Sequence, residues 1–309
     1  MRKSLILAAM LFALCIFAGC GAAETPADTQ PVTEATAAEE APVETQPPVE
    51  APTSEPAAQT TAPAEETAPA AEPSEEPVDV NDSAYGALSP EEKDALMQPV
   101  MTPPELTDEP CDFFDDAAIL GDSISYSLMV YNTKHGYLGS PLFLVRGSLG
   151  VHNTQNKMME VFYQGKSMTP WDALAASGVK KVFLMLGMND IGYYGVEDTM
   201  QQWETFLAHI REVCPEIEVY IQSQTPVWTR GQKGLLTNEN IDLYNTQLEE
   251  FAEENGCHFV NIAPYFKDHT NGLAEPYSGD KYVHMSDEGN LLWCKVLRAY
   301  ATEQEKETP

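Results

Sequence analysis

"AAILGDSISYSL", residues 117–128, runs from an apolar stretch straight into Gly121-Asp122-Ser123 and then into a helical pattern. Gly, Asp and Ser all suit turns and helix N-caps, which is one reason to find them where a strand stops and a helix begins. A serine at that point also has its hydroxyl at the open end of a sheet, beside backbone N–H groups that can hold negative charge. Residues far downstream decide between the two readings.

Four further apolar runs follow: "LFLVRG" (142–147), "KVFLMLG" (181–187), "EVYIQSQ" (218–224) and "HFVNIA" (258–263). Each is short and nearly continuous, as expected of strands covered on both faces. Between them, "VEDTMQQWETFLAHIREVCP" and "NENIDLYNTQLEEFAEENG" carry apolar residues at three- and four-residue intervals, and "SDEGNLLWCKVLRAYATEQEKE" supplies a last amphipathic helix. Ahead of the first strand, "SPEEKDALM" (89–97) has the Ser, Pro and Glu of a capping box and predicts an added N-terminal helix. Strands alternating with helices predict a three-layer α/β/α sandwich on a mainly parallel five-stranded sheet. Right-handed crossovers then bring every strand's C-terminal end to one edge.

On that edge the sequence places Ser123 after the first strand, Gly147 and Gly150 after the second, and Asn189 and Asp190 after the third. Asp280 and His284 precede the last helix. As chemistry, the set suits acyl transfer. A hydroxyl needs a base to take its proton, and His284 can be that base for Ser123. Asp280 can fix the imidazole's tautomer and stabilise its charged form. The backbone N–H groups of Ser123 and Gly147 and the side-chain amide of Asn189 are candidates for an oxyanion hole, with Gly150 as an alternative donor. Asp122 and Asp190 read as loop supports, and Trp228 as a residue bordering the cleft. No His or Cys spacing suggests a metal.

Gly121-Asp122-Ser123, Gly147, Gly187-Met188-Asn189-Asp190 and His284, in this order on successive strand ends, resemble the SGNH (GDSL-type) hydrolase superfamily over roughly residues 117–299. The resemblance implies esterase or acylhydrolase activity without metal or cofactor. The family's acid usually lies three residues before its histidine; here that position is Lys281 and the aspartate, Asp280, is four before. A bulged loop can absorb the extra residue, and the alternative is a backbone carbonyl that orients His284 in a Ser–His dyad.

The start of the chain has a different character. "MRKSLILAAMLFALCIFAGCG" has two cations, an apolar run too short to span a membrane comfortably, and small residues before Cys20. It looks like a bacterial lipoprotein signal (residues 1–19) with lipid attachment at Cys20, which implies an anchor on the outer face of a cell membrane. Residues 20–84, rich in Ala, Pro, Thr and Glu, read as a disordered tether. Such a stretch reaches about 200 Å if fully extended at roughly 3.1 Å per residue. Residues 85–309 read as the hydrolase domain. Export permits disulfides; Cys214 and Cys257 could pair, while buried free thiols are preferred for Cys111, Cys214, Cys257 and Cys294. A net charge of −31 argues against nucleic acid as a partner. The expected partner is an ester substrate, most simply O-acylated (acetylated) carbohydrate or cell-wall glycan. A lysophospholipase or thioesterase and an idle glycan-binding lipoprotein are the alternatives. Oligomeric state is not legible.

Overall fold

The computed structural model describes residues 76–107 and 111–307. The expected signal, Cys20 and nearly all of the tether lie outside the described residues. Seven strands and seven α-helices follow in chain order: α1 (Ser83–Ala87), α2 (Pro90–Leu96), β1 (Ala117–Gly121), α3 (Ser123–His135), β2 (Leu142–Val145), β3 (Val161–Tyr163), β4 (Lys166–Met168), α4 (Pro170–Ser177), β5 (Lys181–Met185), α5 (Met188–Val213), β6 (Glu218–Gln222), α6 (Asn238–Glu254), β7 (His258–Val260) and α7 (Asp287–Glu307).

Five strands form one sheet in the order β2-β1-β5-β6-β7, and every neighbouring pair is parallel. The five apolar runs become these five strands because both faces are covered: all five residues of β1 are buried, as are four of five in β5 and in β6. α3 packs against α7, while α5 packs against both α4 and α6. Strand order reverses at β1, so the carboxyl ends of β1 and β5 lie side by side where helices leave to opposite faces, the usual crevice for a ligand in such sheets.

Trp203 and Trp293 are fully buried, and each indole N–H has a partner: Trp203 donates to the Tyr244 hydroxyl at 2.7 Å and Trp293 to Gln222 Oε1 at 2.8 Å. Tyr244 in turn donates to the Leu186 carbonyl at 2.7 Å, and Gln224 Nε2 donates to the same oxygen at 3.0 Å. Two helix-borne or loop-borne side chains therefore pin the end of β5, just before Asn189. Gly187 sits there at φ 127°, and a Cβ on it would run into the Tyr244 ring, so only glycine lets the chain pass.

Two features depart from the sequence reading. The helix after β5 begins at Met188, eight residues before Val196, because two helical segments join across a kink at Gly195. An antiparallel β3–β4 hairpin turns on Gln164 and Gly165, both at positive φ. The N-terminal segment begins its contacts at Val78, inside the stretch assigned to the tether: Val78 N–H donates to the His269 carbonyl, and His269 N–H to the Leu96 carbonyl. α2 has the full Ser89–Glu92 capping box. All four described cysteines are free; Cys294 is buried and the other three are partly exposed. No helix among the described residues is long and apolar enough to cross a membrane.

Candidate active site

Asp122 follows β1 and caps α3: its side chain accepts from Ile124 N–H at 2.8 Å. That cap fixes Ser123 as the first helical residue, whose N–H has no acceptor inside the helix. Ser123 Oγ lies 3.0 Å from His284 Nε2, although the two are 161 residues apart in the chain. The other ring nitrogen, Nδ1, lies 2.6 Å from Asp280 Oδ2. When Asp280 accepts from Nδ1–H, Nε2 is left as the acceptor for the serine hydroxyl, the arrangement a base requires.

Asp280 also builds the loop that carries His284. Its Oδ1 accepts from the backbone N–H groups of Tyr282 (2.8 Å), Val283 (3.1 Å) and His284 (3.2 Å). The extra residue between acid and histidine is absorbed at Lys281, which adopts the left-handed conformation at φ 55°. Desolvation, the largest single influence on Asp280, raises its pKa. The hydrogen bonds from His284 and Tyr282 outweigh it together and hold the carboxyl below the usual carboxylate range. The alternative in which a backbone carbonyl orients His284 is not the geometry found.

The predicted oxyanion donors are placed less uniformly. Asn189 stands at the start of α5 with its amide nitrogen donating to Asp122 Oδ2 at 2.7 Å and to the Leu149 carbonyl at 3.2 Å. Both of its N–H bonds are thus engaged within the protein, the second at the weak end of the range. Gly147 is exposed, and a Cβ there would meet no neighbouring atom, so protein packing does not demand its glycine. Gly150 is the opposite: its N–H is committed to Asn153 Oδ1 at 3.0 Å, and a Cβ would overlap the Asp190 carboxylate. Asp190 anchors that loop by accepting from Val151 N–H (2.9 Å) and His152 N–H (3.2 Å).

Two buried carboxyls therefore underlie the site. Burial pushes Asp122 up to about 6, against the backbone hydrogen bond from Ile124 and the nearby His284. Burial also raises Asp190, against the same kind of backbone donation from His152 and Val151. The sequence reading missed Tyr244 and Gln224, which hold the end of β5, and Asn290, whose side-chain oxygen lies 3.1 Å from Ser127 Oγ on the helix that begins at the nucleophile. A buried Tyr or Gln carries no local signal of what it supports. Among the described residues no group of three or more His, Cys, Asp or Glu is placed to hold a metal.

The sequence profile of the GDSL-like lipase/acylhydrolase family matches residues 119–292. No curated protein matches the chain significantly. Among solved structures, a GDSL-like lipase from Bacteroides thetaiotaomicron is similar at 15% identity, covering 61% of this chain and 88% of that one, with a TM-score of 0.47. A carbohydrate esterase family 3 protein from Talaromyces cellulolyticus is similar at 14% identity (62% and 99% covered, TM-score 0.44). The C-terminal catalytic domain of a Streptococcus pneumoniae peptidoglycan O-acetyltransferase is similar at 13% identity (62% and 95% covered, TM-score 0.44).

Proposed function

The chain belongs to the GDSL-like lipase/acylhydrolase family, and on that premise we propose that it is a serine esterase that removes O-acyl groups from carbohydrate through an acyl-enzyme on Ser123. The observation that carries this reading is the unbroken chain from Ser123 Oγ through the His284 ring to Asp280, at 3.0 and 2.6 Å.

In this mechanism Ser123 Oγ attacks the ester carbonyl while its proton passes to His284 Nε2, and Asp280 stabilises the resulting imidazolium. The tetrahedral oxyanion is held by the N–H groups of Ser123 and Gly147 and by the Asn189 amide. Asn189 serves by giving up its long contact to the Leu149 carbonyl, while the shorter bond to Asp122 keeps the amide oriented. A charged oxygen is the stronger acceptor, so the exchange is favourable as charge develops. Collapse expels the sugar hydroxyl, which takes the proton from His284. Water then attacks the acyl-enzyme with His284 again as base, and the carboxylic acid leaves with Ser123 restored.

The carbohydrate substrate and the setting belong to the same proposal. The N-terminal leader of residues 1–19 before Cys20 and the Pro/Ala/Thr/Glu-rich stretch after it support an enzyme held by lipid on the outer face of a cell membrane, where acylated glycan is within reach. The idle-binder alternative rested on the offset of Asp280 from His284, and the turn at Lys281 removes that support.

The test is hydrolysis of p-nitrophenyl acetate by the wild type and by Ser123→Ala, with acetate release from acetylated glycans measured alongside. The expected result is turnover that falls about 10⁴- to 10⁶-fold in the variant. Equal turnover by both would overturn the assignment of the nucleophile. For the anchor, palmitate labelling is expected in the wild type and lost in Cys20→Ala.

A further inference from the structure

Two aromatic side chains share a cluster beside the loop that carries His284, and a third, Tyr282, lies on that loop. Tyr85, from α1, and Trp228, from the loop after β6, share one small buried cluster, and Trp228 N–H donates to the Tyr282 carbonyl at 2.7 Å, two residues before His284. Four cations are gathered on these rings. Lys93 Nζ and Arg230 Cζ stand 5.4 and 5.9 Å from the centre of Tyr85, Lys281 Nζ 5.5 Å from Trp228, and Lys233 Nζ 5.0 Å from Tyr282.

In a chain with a net charge of −31, such a gathering runs against the overall composition. Only Lys281 has an ion-pair partner among the described residues, Glu275 at 3.1 Å, and both side chains are well exposed. The loop that carries Arg230 and Lys233, residues 223–237, contains no carboxylate at all. Lys93 has Glu92 beside it on α2, and Asp280, next to Lys281 in the chain, is committed to His284 and the backbone. Arg230 and Lys233 thus stand beside other cations with no carboxylate partner among the described residues; like charges so placed repel, and the ring faces recover only part of that cost. An anion arriving from solvent would relieve it. The rings themselves offer little to an acyl chain: Tyr85 and Trp228 are 5% and 9% exposed, so the surface on view is cationic rather than apolar.

We propose that Arg230, Lys233 and Lys281, mounted on Tyr85, Tyr282 and Trp228 respectively, form a subsite beside His284 for an anionic carbohydrate, so that the preferred ester is carried on an acidic sugar polymer. The direct contacts would be ammonium and guanidinium groups on sugar carboxylates. The wider field raises the local concentration of a polyanion at an otherwise repelling protein. This assignment rests on the esterase reading above for its catalytic meaning, but not for its binding.

The experiment uses the full chain. Its kcat/KM for acetate release from acetylated polygalacturonate is divided by that from acetylated glucomannan, a neutral polymer, at low and at high NaCl. The same ratio is measured for Arg230→Gln/Lys233→Gln, two exposed positions. The expected result is a wild-type ratio of about ten or more at low salt that collapses at high salt and falls about tenfold in the variant. A ratio near one that neither salt nor the variant moves, with p-nitrophenyl acetate still hydrolysed, overturns the subsite and leaves the esterase standing. Ser123→Ala protein is also titrated with unacetylated polygalacturonate and with phosphatidylglycerol vesicles. If p-nitrophenyl acetate is not hydrolysed but polygalacturonate binds and the double substitution weakens it, the subsite stands and the esterase reading falls. Binding to the vesicles in place of the polymer, weakened by the double substitution and so not due to the Cys20 anchor, overturns the carbohydrate assignment.

Discussion

Ser123 and His284 meet at 3.0 Å, yet the molecule holds them in different ways. Ser123 follows a strand whose five residues are all buried, and its neighbour Asp122 is 2% exposed and bonded to both Ile124 and Asn189. His284 stands on a loop; its side chain is 43% exposed and that of Asp280 36%. The nucleophile is positioned by the sheet, and any distortion there would disturb the core. The base is positioned by a carboxylate that holds the ring and accepts three N–H groups of a short exposed loop, which Trp228 N–H and Ser278 Oγ also tie down. A buried half tolerates little change of any kind, whereas in the exposed half the ring itself is held by a single side chain.

The largest expected effect tests that dependence. Asp280→Asn keeps an oxygen for the loop's N–H groups but loses the charge facing Nδ1, so kcat should drop about 10⁴-fold with the fold retained. Asp280→Ala removes the loop acceptor as well, and its melting temperature should fall along with its activity. Steady-state kinetics with thermal melts distinguish the two, and a loss under tenfold in Asp280→Asn would mean that the ring is oriented by something else. Next in size, Asn189→Ala should lower kcat by about 10²- to 10³-fold through loss of one oxyanion donor. A loss below tenfold would show that the amide serves Asp122 and Leu149 alone.

The buried half is expected to announce itself in pH dependence. Asp122 binds its proton more tightly in the folded protein, at about 6, than in the unfolded chain. The unfolded state therefore carries fewer protons, and this group's contribution to stability declines as pH rises from about 4 to about 7, by roughly 3 kcal/mol at most. Asp122→Asn should lack that slope in denaturant titrations at stepped pH; an unchanged slope would assign it to other groups, such as Asp190 or Asp268, which burial also raises. Asp280 works in the opposite sense: its lowered carboxyl supports the loop at neutral pH and loses that support under acid.

Much of this was readable in the chain. The five sheet strands were found because each is a short apolar run, and doubly covered strands admit little else. The approach of Ser123, Asn189 and His284 followed from sheet topology alone. The β3–β4 hairpin escaped because its strands have three residues each and its turn uses Gln164-Gly165 rather than the commoner Asn-Gly. The start of α5 escaped because Gly192 and Gly195 interrupt the helical pattern, and only the finished structure shows the helix bending through Gly195. The engagement of Asn189 with Asp122 could not be read, since it depends on side-chain directions that periodicity does not encode. The cationic rings were equally hidden: Tyr85, Trp228 and Tyr282 lie in three separate segments with nothing to join them on paper.

The central claim is that Ser123 is a nucleophile activated by His284. Treating the full chain with a fluorophosphonate and mapping the adduct by peptide mass spectrometry tests it most directly. One adduct on the peptide holding Ser123, formed rapidly in the wild type and at least 10³-fold more slowly in His284→Ala, is the predicted result. Modification of a different residue, or labelling of Ser123 at the same rate without His284, would contradict the account.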